Sequence, residues 1–373
     1  MGPLRGVKVV EFGGIGPAPF GAMVLADLGA EVVRVVRPGG GSLFETEGAD
    51  LATLGRPAAA LDLKDPAARQ RVLAILEHAD ALVEPFRPGV MERNGLGPDV
   101  VLKRNPALVY ARMTGYGQDG PLAARAGHDI NYISVAGVLG AIAREGERPL
   151  FPLNLLGDYA GGGMLLALGI VSAVLHARAT GEGQVVDVAM VDGAALLATM
   201  IQGLRQAGAW SDVPGTNMLD SGAPFYDVYE TADGRHLAVG ALEPQFHARL
   251  LSLLDIPAEE MVQWDREHWP AHRRRLAEVF RTRSRDEWTA RLEGEDACVT
   301  PVLGLAEGPE HPHMTARGGF TDLGGRLRPS PAPRFARTPA RARATASPLR
   351  DVLASWGVES AVTQALDDAL DDG

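Results

Sequence analysis

Val7 to Phe12 forms a short apolar run that breaks into Gly13-Gly14-Ile15-Gly16-Pro17, resumes as a helical stripe, and returns to a second apolar run at Glu31 to Val36. Strand, glycine turn, helix and strand in that order specify a parallel βαβ unit, whose sheet needs helices on its faces. The alternation continues. Leu61 to Leu63, Ala81 to Val83 and Leu108 to Arg112 are expected as short strands, with helices at Pro66 to Glu77 and Pro98 to Arg104 between them. The first half of the chain is therefore expected to be α/β and Rossmann-like.

Further along, a glycine- and leucine-rich pattern from Asp158 to Ala179 predicts one long, largely buried helix that stops at Thr180 and Gly181. A strand at Gln184 to Val188 and a helix at Val191 to Gln206 follow. Glycine, proline and polar residues then dominate from Gly208 to Pro224, the mark of a crossing between domains. Beyond it, Phe225 to Glu230 and His236 to Gly240 flank Asp233-Gly234, a strong hairpin signal, so antiparallel sheet begins there. Helices at Pro244 to Leu254 and His272 to Phe280 and a strand at Cys298 to Leu303 complete this part. At 373 residues, 46% of them hydrophobic, the chain can fill two cores. The expected division is a large domain over 1–207, a linker over 208–224, a small α+β domain over 225–318 and a linker over 319–329. Residues 330–373 then return to the large domain, with an arginine- and proline-rich connector leading to a final amphipathic helix, Leu349 to Trp356.

A net charge of −11 argues against a nucleic-acid surface, which must neutralise phosphates. The single cysteine, Cys298, rules out an internal disulfide and is expected to be a small buried hydrophobe between Ala297 and Val299. No secretory leader or peroxisomal tripeptide is legible, and no apolar run free of glycine or charge reaches the roughly 18 residues of a membrane span. A cytoplasmic protein without membrane insertion is the expectation. His311 and His313 resemble a ligand pair but lack companions, so no metal site is expected.

Several side chains carry possible chemistry. The turn at Gly14 and Gly16 resembles a dinucleotide fingerprint, yet its third position holds Pro19, and the second strand carries Arg34 and Arg37 where a ribose-binding acid would stand. Basic residues there suit a phosphorylated nucleotide or are simply solvated. Arg87 and Arg93 in PFRPGVMERNGLG sit in a frame of prolines and glycines from which guanidinium groups can meet a pyrophosphate. His128 falls in the polar cluster GHDINY with Asp129, Asn131 and Tyr132, where an imidazole serves either as a general base or as a structural hydrogen-bonding group. Asp158 and Glu243 each precede a helical pattern, so both have an ordinary capping role open to them. For Asp158, the free amides of that helix start are also expected to be able to stabilise an enolate oxygen. No GxSxG elbow and no GxxxxGK[ST] phosphate loop is present.

Taken in order, GVKVVEFGGIGPAP, EPFRPGVMERNGLG, ARMTGYGQDGP, AGHDINYISVAG, PLNLLGDYAGGG, GQVVDVAMVDG, GAPFYDVYE and VGALEPQF span nearly the whole chain and resemble the family III CoA transferases. Within that family the likeness is greatest to the bacterial branch that racemises 2-methyl-branched acyl-CoA thioesters. The resemblance implies His128 and Asp158 as the two acid/base groups, Glu243 as the partner that orients His128, and Arg37, Arg87 and Arg93, with Tyr132, as contacts to CoA. It also implies the family fold as an interlocked homodimer, with acyl-CoA as substrate, no separate cofactor, and a small domain that completes the neighbour's site. A transferase using Asp158 as nucleophile is the alternative, and Glu243 in place of a glycine-rich stretch favours the racemase. One departure stands out: LGRPAAALDLK replaces a basic segment and keeps only Arg56, leaving Lys64 and Arg37 to serve the adenine end. Met190 and Met218 are expected to offer adaptable apolar surface to the acyl chain.

Overall fold

The computed structural model describes residues 2–39 and 50–364. They fall into two compact units. The first comprises Met1–Ala136, Pro152–Leu197 and Thr315–Gly373, and the second Gly137–Phe151 and Ala198–Met314.

In the first unit the chain runs β1 (Lys8–Phe12), α1 (Pro17–Asp27), β2 (Glu31–Val36), β3 (Ala58–Ala60), α2 (Pro66–Leu76), β4 (Ala81–Glu84), α3 (Val90–Arg93), α4 (Pro98–Arg104), β5 (Val109–Thr114) and α5 (Asp129–Val135). A π-helical stretch (Leu155–Met164) then leads into α6 (Leu165–Thr180), β6 (Val185–Ala189) and α7 (Met190–Leu197). All six strands pair in parallel in the order β3-β2-β1-β4-β5-β6. After β1 the chain builds outward on one side, and from β4 it builds on the other. The carboxyl ends of β1 and β4 therefore flank a topological switch point, where sheets of this type bind their ligands.

Alternate residues of the same strands feed two cores. Val10, Phe12, Leu82 and Tyr110 pack with Val72, Leu76 and Val101 on one face. Val9, Val83 and Ala111 pack with Ala22, Leu25, Leu166 and Ile170 on the other. Each fully buried valine or leucine contributes roughly 1.5–3 kcal/mol, so both helical layers are needed to hold the sheet. The final helix, Leu349–Trp356, closes the first face through Leu349, Leu353 and Trp356. It is tied down where Trp356 Nε1 donates to Glu31 Oε2 at 2.7 Å and Lys8 Nζ donates to the Trp356 carbonyl at 3.2 Å.

Three expectations shift here. The third strand is Ala58–Ala60 rather than Leu61 to Leu63, because alanine carries little strand signal and the pairing of Arg34 with Ala58 decides the register. The helix expected from Asp158 begins earlier, and its first ten residues, Leu155–Met164, are π-helical. Its glycines do not interrupt it, so Leu155–Thr180 forms one 26-residue run with a mean hydropathy of 1.8 in its most apolar window, long and apolar enough by length and composition to cross a membrane. Half of that window is buried, as befits a helix laid on a sheet.

The second unit contains α8 (Thr199–Gln206), β7 (Tyr226–Glu230), β8 (His236–Gly240), α9 (Pro244–Leu253), α10 (Trp269–Phe280), α11 (Arg285–Leu292) and β9 (Val299–Pro301). Its strands form the antiparallel order β7-β8-β9 over a core that includes Phe225, Leu250, Trp269, Phe280 and Trp288. The helix expected over Val191 to Gln206 is two helices, α7 and α8, in different units. Residues 208–224 are more than a linker. Asn217 is buried and donates to Asp220 Oδ2 at 2.7 Å, while Asp220 Oδ1 accepts from the Asn217 amide at 2.7 Å. Likewise 319–329 holds a small hairpin, Phe320–Asp322 with Leu327–Pro329, in the first unit. Cys298 is exposed at a positive φ of 51°, and Ala297 takes the buried place instead. Met190 is buried in the core between the sheet and α1 and α6, and Met218 packs against the core of the second unit, so Met190 offers no open surface.

Candidate active site

Glycine shapes the mouth of the crevice. Gly16, after β1, has a φ of 68°, and a Cβ there would stand 3.0 Å from Asp158 Oδ2. Only glycine fits both the backbone and the space. Proline at the start of α1 then brings that helix against the π-helical stretch, where Phe20 and Tyr159 pack with ring centroids 4.6 Å apart. Asp158 is thereby carried to the switch point.

Its side chain caps nothing. The residue before the π-helical stretch is Asn154, and the Asp158 carboxylate accepts from Asn154 Nδ2 at 3.1 Å. Burial holds the Asp158 carboxyl above the usual carboxylate range; the Asn154 hydrogen bond opposes this, nearby Asp129 adds to it, and His128 draws it back. An acid so placed is easier to find protonated near neutral pH than an ordinary one. Sequence reasoning does not single out Asn154, although an amide four residues before an acid on a helical pattern is a readable signal.

His128 stands immediately before α5, exposed, its backbone N–H held by Asn131 Oδ1 at 3.0 Å. Asp129, next in the chain, is only 4% exposed, and its Oδ2 accepts the amides of Gly157 at 2.6 Å and Asp158 at 2.7 Å. The turns that carry the imidazole and the carboxyl are thus joined by one side chain. The same bonds overturn an expectation: the Gly157 and Asp158 amides are occupied and are not free to meet an enolate oxygen.

Tyr132 lies beneath this arrangement instead of facing a ligand. Its ring is buried edge-on to Tyr116 at 4.9 Å, and its hydroxyl donates to the Gly127 carbonyl. Burial, with the neighbouring Tyr116 and Asp158, pushes its hydroxyl up to about 12. It supports the His128 turn from below.

Of the arginines, Arg37 follows β2, Arg87 follows β4, and Arg93 ends α3, all three exposed at the carboxyl side of the sheet. The loop bearing Arg87 is fixed from below. Glu84 Oε2 accepts the Phe86 amide at 2.8 Å, and Arg112 bridges Glu84 and Glu92, each at 2.8 Å. Lys64 is exposed in the loop after β3. Arg34 and Arg56 are spoken for: both turn to the buried Glu11, at 3.7 and 3.1 Å. Arg56 is withdrawn from any ligand, because burial in a low-dielectric site without that acid would be prohibitive.

Glu243 belongs to the second unit, at the start of α9, where its exposed carboxylate makes no capping hydrogen bond. Among the described residues no group of three or more histidine, cysteine, aspartate or glutamate side chains is placed to hold a metal ion.

An imidazole and a carboxyl held by burial above the usual carboxylate range thus stand on turns joined by Asp129, at the carboxyl side of a Rossmann-ordered sheet, and the chain belongs to CoA-transferase family III, whose sequence model matches residues 4–351. It is 46% identical over 341 residues to human alpha-methylacyl-CoA racemase, covering 90% of this chain and 87% of that protein. The mouse alpha-methylacyl-CoA racemase is 47% identical over 339 residues, with the same coverage. Among solved structures, the hypothetical protein Rv3272 of Mycobacterium tuberculosis superposes with a TM-score of 0.79 at 27% identity, over 97% of this chain and 99% of that one.

Proposed function

We propose that this chain inverts the α-carbon of 2-methyl-branched acyl-CoA thioesters, the activity named in its human and mouse relatives. The observation that carries the reading is the joining of the His128 and Asp158 turns through Asp129. One group removes the α-proton, and the C–H electron pair moves into the thioester carbonyl to give an enolate. The other, in its protonated form, returns a proton to the opposite face. Each such role contributes about 10²–10⁴ in rate, and no separate cofactor is needed for either. With the Gly157 and Asp158 amides occupied, and those of Asn131 and Tyr132 bonded to the His128 carbonyl, the enolate oxygen is assigned to the amides of Asp129 and Ile130 at the start of α5. Arg37, Arg87 and Arg93, with Lys64, are assigned to the CoA phosphates.

The test is to incubate each epimer of a 2-methylacyl-CoA with the protein in heavy water, with a free carboxylic acid in a parallel tube. Exchange of the α-proton and convergence of both epimers on one mixture is the expected result. Movement of CoA to the added acid without α-exchange would replace the racemase with a transferase using Asp158 as nucleophile.

The assembly is proposed to be an interlocked homodimer in which Glu243 of a second copy orients His128. Leu168, Leu175 and Leu196 support it, being 60%, 72% and 60% exposed on helices of the first unit. Sedimentation at twice the chain mass is the expected outcome, and a monomer at micromolar concentration would remove this assignment.

A further inference from the structure

Asp129 is harder to account for than its neighbours. It is an anion-forming group at 4% exposure whose Oδ1 is buried with no hydrogen-bond donor among the described residues. No lysine or arginine among those residues forms an ion pair with it. Its two partners are both neutral amides, which an asparagine carbonyl would satisfy equally well. Burying a carboxylate on such terms costs stability that an asparagine would not.

Two features show where it is used. Gly157 leaves room for the contact, since a Cβ there would lie 2.7 Å from Asp129 Oδ2. The amides it receives belong to the first turn of the π-helical stretch, where helical geometry leaves donors without partners. Local π-helical geometry is itself common at functional sites.

We infer that Asp129 is a positioning residue for the acid/base pair: its carboxylate ties the turn bearing Asp158 to the turn bearing His128 and so sets the separation of the two groups. Its charge has a second effect. The titratable groups acting on Asp158 are Asp129 and His128, and Asp129 favours the protonated carboxyl. Beneath them, Tyr132 feels Tyr116, Asp158, Arg87 and Asp129. A carboxylate beside Asp158 thus favours its protonated form.

This inference rests on the racemase reading, so its test begins with α-proton exchange by the unaltered protein for both epimers. Absence of that exchange would defeat the reading and this inference with it. Asp129→Asn keeps both acceptor contacts and removes only the charge, while Asp129→Ala removes the clamp. For Asp129→Asn the expected result is a KM within about twofold and a kcat lower by about tenfold. The exchange rates of the two epimers should fall unequally, because only one of them gives up its proton to Asp158. Loss of the negative charge lowers the proton affinity of Asp158, so its limb of the kcat–pH profile should move to lower pH. Asp129→Ala should lose about 10²-fold in kcat, the usual consequence of misplacing a reacting group by an ångström. An Asp129→Asn protein with wild-type kinetics, or one losing exchange equally for both epimers with an unmoved pH limb, overturns the inference.

Discussion

Asp158→Asn should lower epimerisation by about 10³–10⁴-fold with little change in KM, because the substitution removes one of two proton carriers and leaves the CoA contacts in place. Asparagine still accepts the Asn154 amide, so the turn should hold its shape and the thermal midpoint should stay near that of the unaltered protein. The informative readout is exchange in heavy water followed separately for each epimer. One epimer should still exchange, slowly and without inverting, since His128 can remove its proton and return a deuteron to the same face. The other should be silent. Equal residual exchange from both epimers would mean that a different group serves the second face.

His128→Ala should give the mirror result. Epimerisation should fall by a similar 10²–10⁴-fold, and the epimer that still exchanges should be the one silent in Asp158→Asn. The pair of variants therefore assigns a face of the α-carbon to each residue without a bound ligand. CoA binding, measured directly, should survive in both. Full turnover in His128→Ala would remove the two-base mechanism, and transfer of CoA to an added acid by that variant would restore the transferase alternative.

Much of this architecture is written in short-range patterns. The glycine break after Phe12 predicts β1, α1 and β2 because strand and helix periodicities change on either side of it. His236 to Gly240 and Leu349 to Trp356 are predicted to the residue, since a hairpin turn and an amphipathic stripe mark their ends. Errors gather where a tertiary partner decides. Ala58–Ala60 becomes a strand through its pairing with β2, not through propensity. Cys298 reads as core, but a left-handed turn moves it outward. The role expected of the amides at Asp158 fails for the same reason: Asp129 lies 28 residues from Gly157, and no local window contains both. Arg34 and Arg56 look alike on paper to Arg37, yet only the fold reveals that Glu11 has claimed them.

The departure of the chain from its first unit at Leu197 and its return at Thr315 have a consequence for biosynthesis. The final helix adds Leu349, Leu353 and Trp356 to a face that α2 and α4 already cover in part, so a chain emerging from the ribosome leaves that patch beside β2 open while all of residues 198–314 are made. At about 5–20 residues per second that wait lasts on the order of ten seconds. The nascent protein must survive it with the apolar patch beside β2 uncovered, a surface for chaperones to protect during the last stretch of translation.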